Sequence, residues 1–171
     1  MSETSSPSPV RHDIRTAIIT VSDRASRGEY EDLAGPALAD ACAQRGWTVT
    51  AEFLVPDDQP CIEEALRAAT SQGCGLILTT GGTGIAERDV TPEAVRRLMR
   101  VEVPGFGEIM RARSMAITPN ALLSRSLAAV VEHSLVIALP GKPSGAVESL
   151  SFVADAIPHA VKLAQRLPTS C

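Results

Sequence analysis

The chain has 171 residues, 44% of them hydrophobic and 21% charged, which suits one soluble domain with a sizeable core. A net charge of −4 with 3% aromatic residues gives neither the basic footprint nor the stacking set of a nucleic-acid binder. No apolar run approaches membrane-spanning length.

Residues 1–12 begin Ser/Pro-rich and lack the apolar stretch of a secretory signal. They are expected to form a disordered tail, with one domain over residues 13–168. Residues 14–21 ("IRTAIITV") read as a buried strand. Residues 33–45 read as a helix with Pro36 in its first turn and Gly46 as its stop. A second strand follows at 47–55. Residues 60–72 carry the i, i+3, i+4, i+7 stripe Ile62, Ala65, Leu66, Ala69, and Asp58 is suited to cap that helix. Residues 75–80 form a third strand, continuous and apolar as parallel strands are.

Thr91 is then expected to cap a helix with Pro92 at its first position. Residues 103–114 read as a turn and short helix, and 120–134 ("NALLSRSLAAVVEHS") as another helix. Residues 135–139 are a fourth strand, and 144–167 form one or two closing helices that break near Pro158. This order predicts an α/β fold: a single three-layer domain, its sheet mainly parallel, with helices on both faces. Cys42, Cys61, Cys74 and Cys171 form no CxxC pair, and His12, His133 and His159 share no ligand spacing with them. They read as reduced cysteines of a cytoplasmic protein rather than disulfides or a zinc site.

Open parallel sheets bind ligands beyond the carboxyl ends of their strands. Ser22-Asp23-Arg24 follows the first strand, Pro56-Asp57-Asp58 the second, and Gly81-Gly82-Thr83-Gly84 the third. Pro140-Gly141-Lys142-Pro143-Ser144-Gly145 follows the fourth. The opposite loops, "SQG" and "EHS", are short and plain. A glycine run lets successive amides point at one anion, although a Gly-Gly pair also serves as a ligand-free turn. The Walker motif fails, with Val136 where its first glycine belongs and Pro143 after the lysine. The dinucleotide motif fails at Glu87.

If Asp58 caps a helix and Thr91 another, Asp57 and Asp89 are left spare on the rim. Each reads either as a solvated turn residue or as a magnesium ligand, since Mg²⁺ needs only one or two carboxylates beside phosphate oxygens and water. The second option permits phosphoryl or nucleotidyl transfer. Ser22, Ser124 and Ser144 can donate to phosphate and Arg125 can pair with one, or they serve as turn, cap and surface-pair residues. No histidine falls on the rim, which disfavours acyl-transfer hydrolysis.

Six segments in order, "VSDRASRGEYEDLAGPAL", "LVPDD", "LTTGGTGIAERDVTPEA", "VPGFGEIMR", "LLSRS" and "LPGKPSGAVESL", resemble the molybdopterin adenylyltransferase family, the MogA/MoaB-type proteins. The resemblance spans about residues 14–167. It implies a small α/β domain, a homotrimer, acting in molybdenum cofactor biosynthesis. It implies Mg²⁺-dependent transfer of AMP from ATP to the terminal phosphate of molybdopterin, with hand-off of the product to a molybdenum insertase. It places the metal and catalytic acids at Asp57 and Asp89, and the nucleotide at Gly81, Gly82, Thr83, Gly84, Pro140, Gly141 and Ser144. Ser22, Asp32, Ser124 and Arg125 fall on the molybdopterin side, and the role of Lys142 is open. The alternatives are an insertase-type relative, a non-catalytic MoaB-type molybdopterin-binding paralogue, and a trimeric interaction module without nucleotide affinity. The Thr-Gly-Gly-Thr-Gly loop and the "RDVTPE" acid resemble the active branch.

Overall fold

The computed structural model describes residues 13–169. The expected tail and Cys171 lie outside them. Strand β1 (Arg15–Val21) leads through one helical turn, α1 (Asp23–Ser26), to α2 (Ala34–Gln44). Then come β2 (Thr48–Val55), α3 (Gln59–Ser71), β3 (Leu76–Thr80) and α4 (Thr91–Leu98). A two-residue strand, β4 (Val101–Glu102), precedes α5 (Pro104–Ser114) and a 3-10 turn at Pro119–Leu123. The chain continues with β5 (Leu127–Val131), β6 (Ser134–Leu139), α6 (Pro143–Val153) and α7 (Ile157–Ala164).

The six strands form one sheet in the order β2-β1-β3-β6-β5-β4. The first four run parallel; β5 is antiparallel to both β6 and β4. Parallel neighbours need helical crossovers, which cover both faces and bury the strands between them. Every residue of β3 and β6 is accordingly buried. Successive side chains point to opposite faces, so Ile18 and Leu78 join one core with Leu38, Ile137 and Leu150. Their chain neighbours Ile19 and Ile77 join the other with Ile62, Leu66 and Val95. Each fully buried Ile or Leu contributes about 1.5–3 kcal/mol relative to exposure.

The main departure from expectation is at 120–134. That segment is not a helix; it is the 3-10 turn, then β5, then a tight hairpin into β6. "LAAVV" is buried at every position, and a short run buried all round carries no period to separate strand from helix. Two capping expectations also change. The Thr91 hydroxyl donates to the Gly81 carbonyl instead of capping α4. Ser144 lies inside α6, whose N-cap is Lys142. Asp58 does cap α3, accepting from the Cys61 amide at 3.3 Å. The free thiols Cys42 and Cys74 are buried and Cys61 is half-buried; burial pushes the Cys42 thiol up to about 12.

Candidate functional site

The parallel strands end together, and a cavity of about 420 Å³ opens there, lined in part by Ser22, Asp32, Asp57, Gly81, Gly82 and Gly141. Its floor is set by the way the chain leaves β3. Gly81 has φ 102°, and a Cβ there would run into the Val21 carbonyl oxygen, so only glycine lets the loop lie against the end of β1. The Gly81 amide donates to Leu139 O at 3.2 Å. The Thr80 hydroxyl donates to Pro140 O at 2.7 Å, joining the second glycine-rich loop to the first.

All four carbonyls of the Gly81–Gly84 stretch are engaged from the protein side. Thr91 takes two: its hydroxyl donates to Gly81 O at 2.8 Å and its amide to Gly82 O at 3.1 Å. Arg125 takes the next two: its amide donates to Thr83 O and its Nε to Gly84 O, both at 2.7 Å. A trans peptide holds C=O and the following N–H antiparallel. Anchoring these oxygens therefore turns the amides of Gly82 and Thr83 away from Thr91 and those of Gly84 and Ile85 away from Arg125; of these four residues Gly82 lines the cavity.

The two acids singled out in the sequence flank this loop. Asp57 lines the cavity, accepting from the Asp23 amide through Oδ2 at 2.8 Å. Its Oδ1 faces Gly82, 3.3 Å from where a Cβ would stand. Burial pushes the Asp57 carboxyl above the ordinary aspartate range, and the negative charges of Asp23 and Asp89 add to this. Asp89 folds back on its own loop, Oδ2 accepting from the Ala86 amide at 2.8 Å. That oxygen would lie 2.7 Å from a Cβ on Gly84, so a side chain there would push the carboxylate aside.

The residues expected to meet molybdopterin fall into two places. Ser22 and Asp32 line the same cavity as Asp57. Ser124 and Arg125 line a separate space of about 260 Å³ with Arg111 and Pro104. The Ser22 hydroxyl caps α1 by accepting from Ala25 N at 3.2 Å. Asp32 accepts from the Ala34 and Gly35 amides, each at 3.0 Å, and from the Thr20 hydroxyl at 2.7 Å. Ser124 bonds Ser126 at 3.0 Å. Ser144 is exposed and Thr83 buried. Lys142 stands between the main cavity and an apolar one of about 200 Å³ that also includes Pro140 and Ser124.

The ion pair between Arg88 and Asp23 was not picked out in the sequence. Arg88 donates to both carboxylate oxygens of Asp23, Nε at 3.0 Å and Nη2 at 2.8 Å. This holds the Asp23 carboxyl below the ordinary range. "SDR" and "ERD" carry complementary charges on neighbouring rim loops, but a pairing across 65 residues is not visible in one sequence.

Comparison with known proteins shows the family. The family described as a probable molybdopterin binding domain matches residues 17–159. The chain is 42% identical over 154 residues to a molybdopterin adenylyltransferase of Helicobacter pylori strain J99, covering 88% of this chain and 87% of that protein. It is 41% identical over 149 residues to the molybdopterin adenylyltransferase of Escherichia coli K12, covering 84% and 75%. Among solved structures, the molybdopterin biosynthesis enzyme MoaB from Thermus thermophilus superposes with a TM-score of 0.85 at 46% identity. That match covers 92% of this chain and 99% of the other.

Proposed function

This chain belongs to the molybdopterin adenylyltransferase family, and from that premise we propose that it transfers AMP from ATP to the terminal phosphate of molybdopterin. In that reaction a phosphate oxygen of the pterin attacks the α-phosphorus, the bond to the β-phosphate breaks, and pyrophosphate leaves. The observation that carries the reading is the glycine loop at the strand ends, whose four carbonyls Thr91 and Arg125 hold, an arrangement that favours amides directed away from those two residues. Such fixed donors offset charge that grows on the transferring phosphoryl group, without reorganising at the moment of reaction. No general base is required, because a phosphate nucleophile is already ionised near neutral pH.

The acids suit a divalent cation. Asp57 is half-buried, is made basic by burial and by the Asp23 and Asp89 charges, and keeps Oδ1 directed at the glycine loop. Mg²⁺ takes one or two carboxylates and completes its shell with phosphate oxygens and water. Asp57 and Asp89 would hold it. It would neutralise charge on the α- and β-phosphates when bound.

A homotrimer fits this reading, supported by the exposed apolar Ile109, Met115, Ile117, Leu122 and Leu123 on α5 and the turn after it; light scattering tests it. The adenylylated pterin is then the substrate of a metal-inserting enzyme. No helix among the described residues is long and apolar enough to cross a membrane. The deciding assay incubates the purified chain with ATP, MgCl₂ and molybdopterin and follows adenylyl-molybdopterin and pyrophosphate. Stoichiometric formation of both supports adenylyl transfer. Pterin binding with neither product assigns the chain to the non-catalytic branch.

A further inference from the structure

We infer that the Arg125 side chain is the positioning group of the phosphate cradle, acting through the Gly84 and Asp89 carbonyls and Glu93, rather than a contact to the pterin. This rests on the adenylyl-transfer reading above and names what holds its nucleotide site in shape. Arg125 reaches both ends of one exposed excursion. At the start of the loop its amide donates to Thr83 O and its Nε to Gly84 O. At the far end its Nη2 donates to the Asp89 carbonyl, and its Nη1 forms an ion pair with Glu93 in the first turn of α4. Residues 85–88, between those ends, are exposed.

The guanidinium thus bonds three separate protein acceptors, one through each of its three nitrogens, which fixes its plane and direction. A planar fork with fixed, divergent N–H groups can hold three such points at once. A lysine ammonium on a flexible stem cannot. Glu93 strengthens the case, because its Oε2 is buried with no partner while Oε1 pairs with Arg125. The ion pair covers the Glu93 Oε1 edge, so an arginine that swung out to a ligand would give up that pairing as well as the Gly84 and Asp89 carbonyls. Loss of the side chain frees the Gly84 and Asp89 carbonyls to rotate, while the backbone amide of residue 125 still holds Thr83 O; the amide that follows Gly84 then loses its fixed direction.

The test is calorimetry of Mg·ATP, without pterin, on the unaltered chain, Arg125→Ala and Arg125→Lys, each first checked by thermal unfolding. Arg125→Ala should bind on the order of tenfold to a hundredfold more weakly, and Arg125→Lys should recover part of the loss. In steady-state assays KM for ATP should rise and kcat fall, with KM for molybdopterin unchanged. If the alanine variant does not fold, the lysine variant gives the same readout with a smaller change. Equal ATP affinity with a raised molybdopterin KM overturns the inference and makes Arg125 a pterin contact. No ATP binding by the unaltered chain overturns the adenylyl-transfer reading, and the inference with it.

Discussion

Asp23 and Asp57 each donate a backbone amide to the other's carboxylate, Asp23 N to Asp57 Oδ2 at 2.8 Å and Asp57 N to Asp23 Oδ1 at 3.0 Å. The exchange ties the ends of β1 and β2 together at the mouth of the cavity. The two acids share this geometry, yet their surroundings push their carboxyls in opposite directions. Arg88 pairs with Asp23 and holds it low; burial dominates at Asp57 and pushes it high.

The raised Asp57 value fixes the sign of a stability effect. A carboxyl whose folded pKa exceeds its unfolded value binds more protons folded, so its ionisation lowers stability as pH rises through that interval. Above the folded value the cost is fully present. Asp57→Asn keeps an acceptor for the Asp23 amide and removes the charge. The ligand-free variant should therefore melt higher than the unaltered protein at pH 7 while losing its Mg²⁺ response. An unchanged or lower melting temperature contradicts this.

The coupling between the acids is separately measurable. Asp89 is one of the charges that raise Asp57, so Asp89→Asn should shift the Asp57 carboxyl carbon titration to lower pH in an NMR experiment. No shift would mean that the two carboxylates are too far apart to share a cation.

Two glycine substitutions should fail in different ways. Gly81→Ala places a Cβ against a backbone carbonyl at positive φ, and should cost at least about 1–3 kcal/mol of stability. Gly84→Ala meets only the end of the Asp89 side chain, which can move. It should leave the melting temperature nearly unchanged while lowering AMP transfer by displacing that carboxylate. Chemical denaturation and turnover measured together separate the two.

Thr91→Val keeps the shape and removes the donor to the buried Gly81 carbonyl. Leaving that acceptor unpaired should cost about 1–3 kcal/mol and weaken Mg·ATP binding through the loosened loop. Full stability and affinity in the variant would show that the Thr91 amide alone is enough to hold the glycine loop.

The sequence made the parallel half of the sheet legible, because β1, β3 and β6 are mostly aliphatic runs and Gly46 and Gly73 mark the helix ends ahead of β2 and β3. It hid β5, since "LAAVV" is buried on every side and follows a serine-rich turn that resembles a helix start. It hid β4, where two residues carry no period. At the site, the glycines and Asp57 could be read from their position after strands, with Asp58 taking the cap. Thr91 and Arg125 could not be read as carbonyl donors, because their partners lie 10 and 41 residues away and neither spacing follows a helical or strand repeat. Only the closed fold shows that both hold the same loop.

Adenylyl transfer at this rim requires the polyphosphate to sit on the glycine loop. A crystal of the protein soaked with Mg²⁺ and an ATP analogue resistant to cleavage between the α- and β-phosphates measures that directly. We predict phosphate oxygens within hydrogen-bond distance of amides in the 82–85 stretch and a cation on Asp57. Density for the nucleotide at the opposite edge of the sheet, beside Arg15 and Lys162, would contradict it.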